Sequence, residues 1–539
     1  MPPMDDAMAR RQPEPPEDAG WVAQVPRYPT KHIAIFIYGL TGGGAQRRTL
    51  TLANAFAACG HQVDLVLVRG EGVLEPQVAP RVRVIALDRA DRLLGRAIRT
   101  SRTRGVQTFA SIPALARYLR RQQPDLLLSA ASHVNLVAVA GWRLARLPIA
   151  LVLRASNHPT GNLANFPPAQ RLIRAWMRWL TRRFYPRADL VVAVSDGVAE
   201  ELARLTGMPR ERILTVYNPV TTPALAARIA EPLDHPWLEA SDAPLLLAAG
   251  TFKIQKDFRT LVEAFARLHR RRPVRLAILG DGPMRPAIAQ RVRELGLEED
   301  VLLPGFILNP LPWMRRASVF VLSSMWEGLP GVLIEAMACG CPVVSTDCPS
   351  GPREILEGGR WGPLVPVGDS RALAAAIADQ LDRPTPAELL RERAAAFDLP
   401  RAVARYLEIF EACIRARVPR RLARIPPWPL KVPLTYTSEA GLDYVLGRLG
   451  LSRIDLFRPF AGNAEHRRLM ARMMARLGVD LDRAVAAAWV QLREADARCA
   501  ACEAVRVCRQ WLRQPNAEPP DFCPNTALFL RLARADALR

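Results

Sequence analysis

The sequence predicts an α/β protein with two Rossmann-like domains facing a cleft and a small helical C-terminal domain. Three observations carry this. First, Ile33-Ala34-Ile35-Phe36-Ile37 leads into Gly39-Leu40-Thr41-Gly42-Gly43-Gly44, then a helical stretch over 45–59 and a second apolar run over 63–68. A buried strand, a glycine-rich turn, a helix and a strand open a nucleotide-binding α/β sheet. Second, the same pattern restarts at Leu245, with a strand over 245–249 and a polar loop from Gly250 to Phe258. Third, Pro419, Pro426, Pro427, Pro429 and Pro433 crowd residues 418–438, a linker composition that ends the α/β pattern.

The elements follow in order. Residues 1–30, rich in proline and charge, read as a disordered leader. The first Rossmann-like domain takes 31–225, with further strands over 126–129, 151–153 and 190–194. These lead to Ser132-His133, to Arg154, Ser156 and Asn157, and to Ser195-Asp196, in the loops where parallel sheets bind ligands. The second domain takes 240–400. Its strands over 275–279, 301–303 and 319–322 lead to Gly280-Asp281-Gly282-Pro283, to Gly305-Phe306 and to Ser323-Ser324. A helix over 401–417, the linker 418–438 and a helical, cysteine-containing domain over 439–539 complete the chain.

Composition narrows the function classes. Of 539 residues 50% are hydrophobic, so large cores are available and global disorder is excluded. The net charge is +22, carried almost wholly by arginine, because Lys31, Lys253, Lys256 and Lys431 are the only lysines. Such a surface favours anionic partners: nucleotide sugars or acidic lipids. The aromatic-interleaved basic patches of nucleic-acid binders are missing, so no nucleic acid is expected. No run reaches the length and apolarity of a bilayer span, and 1–19 lacks the apolar core of a signal peptide. The expected location is cytoplasmic, with peripheral contact at the inner membrane face. The contact would be 171–183, where Arg171, Arg174, Arg178 and Arg182 share one helical face and Leu172, Ile173, Trp176, Trp179 and Leu180 the other. That pattern either lies on an anionic membrane or packs its apolar face into a core with the arginines solvated.

The most informative chemistry lies in Ser323-Ser324-Met325-Trp326-Glu327-Gly328-Leu329-Pro330-Gly331-Val332-Leu333-Ile334-Glu335. Glu327 falls in a loop after an apolar strand. Glu335 falls about a turn into a helix that opens near Gly331. A helix N-terminus offers free N–H groups and the positive end of a dipole to a diphosphate, and flanking carboxylates accept hydrogen bonds from sugar hydroxyls. This is the pattern of a sugar-nucleotide site. The G-x-G-x-x-G pattern of NAD sites is absent.

This run, with Cys339-Gly340-Cys341-Pro342-Val343-Val344 after it, resembles the donor-site signature of retaining glycosyltransferases of family 4, which have the GT-B fold. The resemblance covers about 31–415. It implies a metal-independent, hexosyltransferase-type enzyme that moves a sugar from a UDP- or GDP-linked donor to a glycan or lipid-linked acceptor in surface polysaccharide synthesis, with no cofactor for the transfer. It implies Glu327, Lys256 and His133 as catalytic residues, Glu327 on the donor sugar and Lys256 on the phosphates. For donor binding it implies Glu335 on the ribose, together with Gly331, Leu333, Gly280, Gly282, Phe306, Gly43 and Gly44. Tyr217-Asn218-Pro219-Val220 resembles the exit from the first domain, and the helix over 401–415 would cross back onto it. Thr251 departs from the pattern, since an arginine is expected there. Read from the residues alone, His133 is either near the transferred sugar or structural, and Phe306 either meets the nucleobase or packs in the core.

Two other readings share these features: a nucleotide-sugar epimerase of the same fold, and a non-catalytic sugar-nucleotide-binding regulator. The C-terminal domain adds Cys499, Cys502, Cys508 and Cys523. Their clustering suggests a zinc or iron–sulfur centre, or else buried structural thiols. The surrounding segment resembles a small bacterial domain of unknown function.

Overall fold

The computed structural model describes residues 20–90, 103–164, 171–239 and 242–422, and in the C-terminal part residues 472, 508, 510–512, 523, 525–526 and 528–530. The chain divides into two compact units, Met1–Ile414 and Arg415–Arg539.

The first unit holds two parallel sheets. In chain order the strands of the first are β1 (His32–Ile37), β2 (Gln62–Leu67), β3 (Val82–Ala86), β4 (Leu126–Ala130), β5 (Ala150–Ala155), β6 (Leu190–Ala193) and β7 (Ile213–Thr215). They lie in the order β3-β2-β1-β4-β5-β6-β7. The second sheet contains β8 (Leu245–Ala249), β9 (Arg275–Leu279), β10 (Val301–Gly305), β11 (Val319–Leu322), β12 (Val343–Thr346) and β13 (Leu364–Val365), in the order β10-β9-β8-β11-β12-β13. Both sheets are therefore Rossmann sheets with one order of winding. The central strands are continuous apolar runs because helices cover both faces. In β8 and β9 every residue is buried. β3 lies on an edge and is only partly covered, so its sequence carries a weak strand signal.

The helix Leu399–Leu422 belongs to the first sheet, although it follows the second in the chain. Val403, Tyr406, Leu407, Phe410 and Ile414 recur every three or four residues, the spacing of one buried helix face. They join the core cluster of Ile33, Ile35, Leu50, Ala53 and Phe56. The Phe56 ring stands 6.0 Å from Tyr406 and 5.3 Å from Phe410, and Lys31 pairs with Glu411 at 3.0 Å.

The two stretches that connect the domains are bonded to each other. The Val220 and Thr221 N–H groups donate to Phe397 O at 2.9 and 3.1 Å, and Leu399 N donates to Thr221 O at 3.0 Å. Beside this strap lies Arg154 of β5, fully buried. Its guanidinium donates to the Tyr406 hydroxyl at 3.0 Å, to Thr49 at 3.2 Å, to Ser156 at 3.0 Å and to Asn218. Sequence reasoning put Arg154 in a loop that follows a strand, where parallel sheets bind ligands. Its environment makes it a structural tie between sheet, strap and returning helix, held by neutral partners.

Of the second unit, the described residues include buried Trp511, Leu528 and Phe529. Cys499 and Cys502 lie outside the described residues, and Cys508 and Cys523 are half-buried. Among the described residues no group of three or more metal-ligating side chains assembles, and no helix is long and apolar enough to cross a membrane.

Candidate active site

In a Rossmann sheet the ligand crevice lies beyond the strand ends where the order of winding reverses. Here those points lie between β1 and β4 and between β8 and β11. The loops leaving these strands carry Gly43, His133, Lys256 and Glu327. Motifs far apart in the chain thus fall on crevice loops for a topological reason.

Lys256 and Glu327 form an ion pair, with Nζ 2.6 Å from Oε1 and side-chain exposures of 15% and 9%. Ser324 Oγ also donates to Glu327 Oε1 at 2.7 Å, and Gln255 Nε2 to Oε2 at 3.3 Å. The two loops are further laced by Ser323 Oγ to Lys256 O at 2.7 Å, Met325 N to Gln255 O at 2.8 Å and Gln255 Nε2 to Trp326 O at 2.9 Å. The Glu327 carboxylate is thereby fixed in orientation. Beneath it, burial pushes up the Cys348 thiol, with Glu327 adding and Lys256 opposing.

The helix Gly331–Ala338 opens where the sequence places it. Glu335 is buried, and its carboxylate is held by Arg48 from the helix Gly44–Ala58 of the facing domain. Gly331 makes room for this guanidinium, since a Cβ there would lie 2.9 Å from Arg48 Nη2. Two more arginines approach. Arg47 donates to Leu308 O at 3.2 Å and Arg228 to Asn309 Oδ1 at 3.1 Å. Burial lowers the pKa of both; Glu335 opposes that shift, and the neighbouring arginines add to it. Burial, reinforced by Glu335, raises the Cys339 thiol to about 12. Leu333, expected at the donor site, lies in the first turn of the helix Gly331–Ala338. Its side chain is fully buried in the core, and its N–H is spent on Pro330 O at 3.0 Å.

Gly280 and Gly282 leave β9 beside the β8 loop. Gly280 has φ +134°, and a Cβ on it would stand 2.0 Å from Gly250 O. Close backbone approach therefore demands glycine there. The Phe306 ring is 51% exposed, so core packing is not its role. It faces the glycine loop of the other domain, 3.7 Å from where a Cβ on Gly42 would lie. Gly43 caps the helix Gly44–Ala58 in an extended conformation, and its N–H donates to Gln46 Oε1 at 3.3 Å. His133 is the second residue of the helix Ser132–Ala145, half-buried, with its ring 6.4 Å from that of Tyr38.

The domains also meet beside these loops. Glu354 accepts from Asp196 N at 2.8 Å and Gly197 N at 2.9 Å, capping the helix Asp196–Thr206 from across the cleft. Gly161 lies against the Trp326 ring and Gly328 against Ser156 O, each so close that a Cβ would clash at 2.5 Å. Sequence reasoning missed Arg47, Arg48, Arg228 and Glu354. No local motif marks them, because their partners lie in the other domain or beyond the hinge.

The helix Arg171–Phe184 leaves Leu172, Ile173, Trp176 and Trp179 exposed, and of its residues only Leu180 is buried. One edge of the helix does pack into the core, through Leu180 with Met177 and Phe184 against it, while Leu172, Ile173, Trp176 and Trp179 stay outside.

Comparison with known proteins agrees with this architecture. Residues 42–223 match the family described as Glycosyltransferase Family 4, and residues 243–383 match Glycosyl transferases group 1. Together the two matches span well over half of the chain. Residues 458–535 match a family of unknown function, DUF6455. The chain is 27% identical over 377 residues to the N-acetylgalactosamine-N,N'-diacetylbacillosaminyl-diphospho-undecaprenol 4-alpha-N-acetylgalactosaminyltransferase of Campylobacter jejuni, covering 68% of this chain and 95% of that one. It is 29% identical over 337 residues to the lipopolysaccharide core biosynthesis glycosyltransferase LpsE of Rhizobium meliloti, covering 62% and 84%. Anabaena HepE, solved in complex with UDP and glucose, shares the fold at a TM-score of 0.56 and 20% identity, covering 71% of this chain and 100% of that one.

Proposed function

The chain belongs to the glycosyltransferases of the GT-B fold, with a family 4 domain followed by a group 1 domain, and from that membership we propose that it transfers a sugar, with retention of anomeric configuration, from a nucleoside diphosphate sugar to a lipid-linked or glycan acceptor in surface polysaccharide synthesis. The observation that carries this reading is the ordered carboxylate of Glu327, fixed by Lys256, Ser324 and Gln255 ahead of a helix N-terminus.

Each residue then has a distinct task. Glu327 accepts hydrogen bonds from the donor sugar and sets its orientation. Lys256 and the N-terminus of the helix Gly331–Ala338 place positive charge where negative charge develops on the departing diphosphate. Such fixed charge favours the transition state over the bound donor, because the leaving group is more anionic there. Glu335 takes the ribose hydroxyls, Phe306 lies against the nucleobase, and His133 stands beside the transferred sugar. No metal is assigned to the transfer. A lipid-linked acceptor suits the exposed tryptophans of Arg171–Phe184, whose five arginines and lack of acidic residues complement an anionic membrane.

The test is a thermal-shift screen of UDP- and GDP-sugars, then transfer to a polyprenyl-diphosphate-linked glycan, with the product's anomeric configuration read by NMR. Glu335→Ala should weaken donor binding, and Glu327→Ala should abolish turnover with the fold retained. An inverted product would refute the retaining mechanism. Wild-type turnover in both variants would remove the carboxylates from the site.

A further inference from the structure

Around Glu335 the cleft carries more guanidiniums than that carboxylate pairs with. On the second domain's side Thr251 is neutral, and Lys256 is engaged with Glu327. Arg47 and Arg48 from the facing domain, and Arg228 from the helix Leu225–Ala230 between the domains, interact electrostatically with Glu335, and of the three Arg48 is the one bonded to it. Arg47 and Arg228 bond to a backbone carbonyl and an amide oxygen instead. Glu231 acts on Arg228 more weakly than Glu335 does. Holding guanidiniums close together carries a repulsion and desolvation cost that a bound anion would offset. The Arg48 guanidinium lies against Gly331, the first residue of a helix whose N-terminus has no side-chain cap.

We propose that Arg48 binds the diphosphate of the donor from across the cleft, flanked by Arg47 and Arg228, and that its pair with Glu335 is the resting arrangement of this ligand. The inference rests on the sugar-nucleotide reading above and adds a diphosphate ligand from the other domain. When the donor enters, Glu335 exchanges the guanidinium for the ribose hydroxyls, and the guanidinium turns to the phosphates beside it. One residue would thus couple filling of the ribose site to neutralisation of the diphosphate.

Calorimetric titration of the full chain with UDP, uridine, GDP, guanosine and inorganic pyrophosphate tests this, using wild type, Arg48→Met and Arg48→Lys. A lost charge-assisted contact should lower diphosphate affinity roughly ten- to hundred-fold in Arg48→Met. Uridine or guanosine affinity should stay within about two-fold, because neither carries the phosphates that the contact needs. Arg48→Lys should fall between the two, and decides the matter if the methionine variant fails to fold. Unchanged diphosphate affinity would overturn the proposal. So would an equal loss for nucleoside and nucleotide, which marks Arg48 as a positioning residue for Glu335. Pyrophosphate binding that depends on Arg48, without nucleotide binding by wild type, would keep the anion site and refute the sugar-nucleotide reading. No binding of either would overturn both.

Discussion

Removing Lys256 tests whether the Lys256–Glu327 pair organises the β11 loop as well as the leaving group. In Lys256→Met the Glu327 carboxylate keeps Ser324 and Gln255 but loses its ion pair with Lys256. Stripping one partner from a buried pair costs about 3–5 kcal/mol, since a desolvated charge is left behind. Two remaining donors and a lysine that is 15% exposed reduce this to about 2–4 kcal/mol. The charge itself is removed in Glu327→Gln, so the double variant should be no less stable than Lys256→Met. The resulting coupling should be about 2 kcal/mol or more. Native-state hydrogen exchange over 323–335 reads this loop directly, because local opening is measured apart from global unfolding. Calorimetry with UDP and GDP on the same variants should show roughly ten- to hundred-fold weaker binding without Lys256. A coupling near zero would mean that the pair does not organise the loop. Unchanged nucleotide affinity would remove the lysine from the site.

Three further outcomes are expected. Gly280→Ala should cost about 3 kcal/mol or more and impair donor binding, because its Cβ would stand 2.0 Å from the Gly250 carbonyl oxygen, a backbone atom that no rotamer change can move; wild-type stability by denaturant titration would contradict this. Burial raises the pKa of Asp64, but hydrogen bonds from His32, Arg83 and Tyr118 reverse that shift and hold it well below the usual carboxylate range. Its contribution is therefore present at neutral pH and lost as pH falls below about 4, so Asp64→Asn should lose about 3 kcal/mol at pH 7 and flatten the acid limb of the stability profile. Finally, Trp176→Ser with Trp179→Ser should abolish sedimentation with phosphatidylglycerol vesicles while nucleotide affinity stays unchanged; equal sedimentation of variant and wild type would rule this helix out as the membrane contact.

The sheet cores were readable because apolar runs in parallel strands are nearly continuous. β8, β9 and β11 end where their patterns end. β3 and β7 escaped because edge strands are short and only half covered, so little in their composition records the pairing. Glu327 and Glu335 could be named from local spacing, and Lys256 from the resemblance to the family's motif. What the spacing did not contain was their partners: Arg48 lies 287 residues from Glu335, and a contact of that range leaves no periodic trace. Arg154 shows the converse. It follows a recognisable strand, and so looked like a loop residue near the ligand. Its real constraint is the Tyr406 hydroxyl, 252 positions away.

The returning helix has a consequence for how the chain is made. The N-terminal sheet is synthesised early, but Tyr406 and Phe410, which close its core against Phe56, come from the far side of the second sheet. At ~5–20 residues per second, roughly ten to forty seconds separate the last strand of the first sheet from the helix that completes it. During that interval the emerging domain exposes the apolar groove around Ile35, Leu50 and Phe56 on the ribosome. The second domain must therefore reach its fold while the first is still unfinished, and a nascent chain halted near residue 398 would be a substrate for chaperones rather than a stable half-enzyme.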